Sequence, residues 1–146
     1  MTSDVLPASA IRFNVPTADW REAVRAAGDS LVTAGTTTDN YTDQMIEAIE
    51  NLGPYIVVAP GFALAHARPS EAVLRTGLSW ISLAEPVEFG NELNDPVTLV
   101  VGLAAIDHDS HLEVMSKLAR VLTNPDMLAR LRASEDAEQI RAELLG

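Results

Sequence analysis

The amino-acid sequence predicts a single α/β domain, a layered fold in which a mixed β-sheet is flanked by helices on its faces. Three observations predict it. Apolar residues recur at helical spacing in the first third of the chain and again in the last third. Between them lie short apolar runs, bounded by Gly, Pro, Asn and Asp, with the character of strands. The order is helices, strands, helices, which is not the regular strand–helix alternation of a purely parallel sheet. At 146 residues and 47% hydrophobic the chain has a common one-domain size and can bury a core, so one domain spanning residues 1–146 is expected.

Taken in order, a short strand is expected around Ile11 to Val15. "TADWREAVRAAGDSLVTAG" then places Trp20, Ala23, Val24, Ala27, Leu31 and Ala34 on one helical face, with Thr17 as the N-cap and Gly35 as the stop. "TTTDNYTDQMIEAIENLG" repeats the pattern with a stripe of Tyr41, Met45, Ile49 and Leu52, ended by Gly53-Pro54. The period then changes. Tyr55 to Val58 reads as a short strand, Pro60-Gly61 as a tight turn, and "FALAH" as an extended segment carrying His66 to its end. "LRTGLSWISL" and "VTLVVGLAA" are two further strands. The second lacks alternation, so it is expected to be central and covered on both faces. "EPVEFGNELNDP" supplies turns between them, with room for one short strand. "HLEVMSKLARVL" puts Leu112, Met115, Leu118, Ala119 and Leu122 on a helical stripe. Asn124-Pro125 caps a short helix, and Ser134 caps the last one.

Composition removes several classes of function. With no cysteine, disulfides, thiolate zinc sites and thiol nucleophiles are excluded. A formal charge of −11 argues against nucleic-acid binding, which rests on neutralising phosphates with Lys and Arg, and suits a basic protein partner. The start "MTSDVLPASA" lacks the charged and apolar regions of a signal peptide. The longest mainly apolar run, Val97 to Ile106, is about half the ~20 residues that a spanning helix needs. A cytoplasmic protein is expected.

The candidate chemistry rests on three histidines, His66, His108 and His111. His66 ends a strand-like segment and admits three readings: a satisfied core histidine, a metal ligand, or a nucleophile whose neutral ring attacks near pH ~7. A metal would need companions from Asp107, His108, Asp109 and His111. That set could serve a metal-dependent hydrolase, but it lacks a recognised ligand pattern, so no metal is expected. Ser110 and Glu113 fit a capping box, which would make His111 the first residue of a helix. There the helix dipole favours a neutral ring and attracts phosphate; the alternative is an exposed first-turn residue. No Gly-x-Ser-x-Gly elbow, Walker loop or Gly-x-Gly-x-x-Gly run is present, so neither a serine triad nor a nucleotide cofactor is expected.

Two stretches, "MIEAIENLGPYIVVAPGFALAHARP" and "HLEVMSKLARVLTNPD", resemble the IIA component of the bacterial sugar phosphotransferase system, type 2 (mannitol/fructose class), with the L-ascorbate-specific branch looking closest. The resemblance runs from about Ile11 to the C-terminus. It implies a mixed sheet with helices packed on its faces. It also implies that His66 accepts a phosphoryl group from the histidine-containing phosphocarrier and passes it to a IIB component, which phosphorylates a sugar as the membrane IIC component imports it. His111 corresponds to the family's second histidine and would stabilise the phosphoryl group. Arg68, two residues after His66, is a candidate positive charge or a solvated surface residue, and Ser110 a further binding candidate. Phe62 and Leu64 are expected in the core rather than on a docking surface. The sequence departs from the family pattern at Ala65, where proline is common. A regulatory protein of the nitrogen-type IIA kind, with no sugar involved, is the alternative implied by the same resemblance.

Overall fold

In the computed structural model, which describes residues 5–145, a 3₁₀ turn at Ala8–Ala10 leads directly into strand Ile11–Val15 (β1). The outermost residues of the expected 1–146 span lie outside the described residues. Helices Trp20–Thr33 (α1) and Asp39–Leu52 (α2) follow, then strands Val57–Ala59 (β2), Phe62–His66 (β3), Gly77–Val87 (β4) and Val97–Ala104 (β5). Helices His108–Leu122 (α3), Pro125–Ala133 (α4) and Ala137–Leu145 (α5) complete the described chain. The five strands form one sheet in the order β1-β4-β5-β3-β2. Two pairings, β1 with β4 and β3 with β5, are parallel; β4 with β5 and β2 with β3 are antiparallel. The sheet is therefore mixed, and β5 lies at its centre, as its mainly apolar run without alternation leads one to expect.

Alternation along the strands sorts side chains onto two faces. In β3, Ala63 and Ala65 join α1 and α2 in one core, around Ala27, Leu31, Tyr41 and Met45. Phe62 and Leu64 point the other way, with Trp80 and Leu103, into a core built from α3, α4 and α5. Both are buried, so they belong to the core rather than to a docking surface. The first face is lined with small residues. Gly102 is needed there because a Cβ would meet the Ser79 hydroxyl and crowd Ala27 of α1. The Ser79 hydroxyl itself donates to the Ala27 carbonyl at 2.8 Å.

Several boundaries differ from the sequence reading. The cap of α1 is Asp19, not Thr17: its carboxylate accepts the Glu22 N–H at 3.0 Å. Tyr55 and Ile56 lie in a turn, and β2 begins only at Val57, because Gly53-Pro54 ends α2 and the chain must first reverse. Leu52, expected on the buried stripe of α2, is exposed. No separate strand forms in "EPVEFGNELNDP". Instead β4 runs on to Val87, and the following loop closes around Asp95, whose carboxylate accepts the N–H groups of Phe89, Gly90 and Asn91 at 2.8–3.0 Å. The last helix is capped by Asp136 rather than Ser134, since the Asp136 carboxylate accepts the Glu138 N–H at 3.0 Å. The α4 cap is as expected, with the Asn124 side chain accepting from Met127 N–H at 3.1 Å and Pro125 in the first turn.

Candidate active site

His66 is the last residue of β3. It shares the parity of Phe62 and Leu64, so its side chain leaves the sheet on the α3 side. Its strand partner is Leu103 of β5. The ring folds back on its own strand, placing Nδ1 2.9 Å from the Leu64 carbonyl. A carbonyl can only accept, so Nδ1 carries a proton in this contact, and the tautomer it selects for the neutral ring has its lone pair on Nε2. Tyr55 meets the ring edge-on, with centroids 5.6 Å apart and planes at 82°. Ala65 is fully buried and paired with Gly102 in the ladder.

The start of α3 corrects the sequence reading. Its N-cap is Asp107, whose carboxylate accepts the Ser110 N–H at 2.8 Å. The helix therefore begins one turn earlier than a capping box at Ser110 would allow. His108 becomes its first residue, and His111 makes the first helical hydrogen bond, to the Asp107 carbonyl at 3.1 Å. Ser110 is turned to Asp107 rather than to the histidines: its N–H and hydroxyl both hold that carboxylate below the ordinary carboxylate range. The buried stripe of α3 is Val114, Leu118 and Val121, while Leu112 and Ala119 are exposed. His111 continues that stripe by one step towards the N-terminus, which aims it at the sheet. Its ring lies 6.5 Å from that of His66, centroid to centroid.

These side chains line a cleft of about 920 Å³. His66, Arg68, His108, His111 and Tyr55 form part of its wall, and Gln44, Glu47 and Asn51 of α2 face them. Glu47 is the one carboxylate and Arg68 the one permanent cation among the described lining residues. Arg68 is exposed, and no ion pair is formed by it among the described residues. Burial, then the facing His66 and the neighbouring His108 on the same helix, push the His111 ring below its ordinary pKa of 6.5, which favours the neutral form. The Ala67 N–H, one residue past His66, is already committed to the Tyr41 hydroxyl at 3.0 Å and is not free for a ligand. For an anion the cleft thus offers Arg68 and the His108 and His111 imidazoles, beside the neutral polar side chains of Gln44, Asn51, Tyr55 and Ser70. Among the described residues no three His, Cys, Asp or Glu side chains gather as a metal-binding group.

The sequence reading singled out His66, His111 and Arg68, and the structure brings all three to one cleft. It missed His108 as a lining residue, because the helix start was placed at Ser110. It missed Tyr55, which reads as a strand residue. Asp107 was legible in principle: an acidic residue directly after an apolar strand, three before an N–H donor, is a helix-start signal.

A mixed five-stranded sheet between two helical layers, with His66 at a strand end and His111 opposite it near a helix start, defines the class of protein. The chain belongs to the family described as phosphoenolpyruvate-dependent sugar phosphotransferase system, EIIA 2, whose model matches residues 4–145. It is a sugar-specific IIA component of such a system. The ascorbate-specific PTS system EIIA component of Salmonella choleraesuis is 36% identical over 133 residues, covering 90% of this chain and 86% of the relative. The solution structure of the mannitol-specific cryptic phosphotransferase enzyme IIA CmtB from Escherichia coli matches with a TM-score of 0.84 at 31% identity, covering 97% of this chain and 95% of that one. The mannitol enzyme IIA of E. coli, solved in complex with phosphorylated enzyme IIB, matches with a TM-score of 0.83 at 28% identity, covering 96% of each chain. No helix among the described residues is long and apolar enough to cross a membrane.

Proposed function

We propose that this chain carries a phosphoryl group on His66 between two proteins of a sugar-uptake system. The observation that carries the reading is the bond between His66 Nδ1 and the Leu64 carbonyl, which leaves Nε2 as the nucleophilic nitrogen in the same cleft as His111. The donor is the histidine-containing phosphocarrier. The Nε2 lone pair attacks its phosphorus, a new N–P bond forms as the donor's N–P bond breaks, and the electron pair returns to the donor imidazole. The second transfer runs the same way towards a cysteine thiolate of a IIB component, which serves the membrane IIC component. Phosphoryl transfer asks the protein chiefly for positioning and charge stabilisation. His66 is positioned by its strand, and His111 and Arg68 supply donors to the phosphoryl oxygens. The resemblance to a relative named for ascorbate supports L-ascorbate as the sugar. The mannitol IIA relative solved with phosphorylated IIB supports the acceptor.

The test is incubation with phosphoenolpyruvate, enzyme I and the phosphocarrier. The unaltered chain gains one acid-labile phosphate on Nε2, visible by ¹⁵N-imidazole NMR. His66→Ala gains none, and an H66A protein that still gains it overturns the assignment. His111→Ala keeps the acceptor but slows acceptance by roughly 10²-fold, the scale of one lost charge-stabilising donor. Delivery to an ascorbate-type IIB, and not to a mannitol-type one, checks the sugar.

A further inference from the structure

Tyr41, on α2, is wholly buried, yet its phenol oxygen is fully used. It donates to the Leu103 carbonyl at 2.7 Å and accepts the Ala67 N–H at 3.0 Å. The Ala67 carbonyl lies 3.1 Å away as a second acceptor for the same proton. Leu103 is the residue paired with His66 across the ladder, and Ala67 is the residue that follows His66. The phenol thus stands between β3 and β5 at the point where β3 ends, and both its backbone partners flank the phosphoryl-accepting position. Burial pushes its pKa up to about 12, so it stays a proton donor throughout the physiological range.

We infer that Tyr41 is a positioning residue: by linking Ala67 to Leu103 it ties the residue after His66 to its cross-strand partner, and so holds the ring in the tautomer that presents Nε2 to the cleft. Without the oxygen, the Ala67 N–H and the Leu103 carbonyl either close on each other or go unpaired. The first outcome shifts the strand end and the second frees it to move, and the Nδ1–H bond back to Leu64 is made at that strand end. Tyr41 never touches the phosphoryl group; it acts through His66. This inference rests on the proposed function for its catalytic consequence but not for its structural readout.

The test compares Tyr41→Phe with the unaltered chain by ¹⁵N-imidazole NMR, with no phosphoryl donor present, and then by the initial rate of phosphoryl acceptance. The unaltered His66 shows the Nδ1–H tautomer. Y41F shows a mixture of tautomers, and acceptance slows roughly 10- to 100-fold, the scale of a small misplacement of a reacting group. Met45→Ala, another wholly buried position on α2, lowers thermal stability but leaves the tautomer unchanged. A Y41F protein that keeps the Nδ1–H tautomer overturns the inference, as does a Met45→Ala protein with the same tautomer mixture. Should Y41F fail to fold, the unaltered chain still decides: the Ala67 amide is protected from hydrogen exchange although it lies beyond β3, and an unprotected Ala67 amide overturns the inference. A tautomer shift in Y41F, with no phosphate taken up by the unaltered chain, defeats the proposed function and leaves this inference standing.

Discussion

A proton on His111 is held less tightly in the folded chain than in the unfolded one, because burial, the facing His66 and the neighbouring His108 disfavour its charge. The unfolded chain therefore binds more protons on acidification, and stability is drained as pH falls through the ordinary value of 6.5 and below. His111→Gln, which cannot titrate, should flatten that part of the stability–pH curve. Urea unfolding midpoints measured between pH 5 and pH 8 check this, and an unchanged slope in H111Q would refute it. The legibility of single residues followed their local context. His66 and His111 were readable because one ended a strand-like run and the other stood near a helix start. Tyr41 was readable only as a core position: its helical spacing announces burial, while the long-range partners of its hydroxyl, Ala67 and Leu103, are absent from any local pattern. A buried phenol nevertheless has to find a partner, which is the one hint the sequence offers.

The elements tell the same story at larger spacing. The helices were legible from periodicity, but their ends were decided by which polar side chain captured the first free N–H groups. At α1 and α3 an aspartate did so, at Asp19 and Asp107, where Thr17 and Ser110 had been expected. For α3 the difference has a chemical outcome, since it moves His111 one turn into the helix and brings His108 to its first position. Asp107→Ala should fray that turn and loosen both imidazoles, slowing phosphoryl acceptance roughly tenfold through misplacement. Asp107→Asn, which keeps a good N-cap, should retain most of the rate. Equal rates for the two variants would show that the cap does not position the histidines. The strands were legible as apolar runs, yet their order and direction were not, because pairing between β3 and β5 or β1 and β4 joins segments far apart in sequence.

At the scale of the whole molecule, one sheet separates two cores, and each core holds a tryptophan: Trp20 packs against the α1–α2 side and Trp80 lies in the α3–α5 side. Because β3, β4 and β5 contribute side chains to both cores, the two faces should melt together as one cooperative unit. Trp20→Phe leaves Trp80 as the sole indole reporter, and Trp80→Phe leaves Trp20. In each variant the fluorescence midpoint should coincide with the far-ultraviolet circular dichroism midpoint. A gap between the two in either variant would mean that one layer opens on its own.

The cleft around His66 is rimmed by exposed side chains, among them Glu47, Asn51, Tyr55, Arg68 and His108. What lets a partner's donor group in also lets water in. A phosphoryl group held at His66 would therefore have a lifetime set by hydrolysis and not by a closed chamber. The carrier would work as a leaky store, useful only while its acceptor arrives faster than water removes the load.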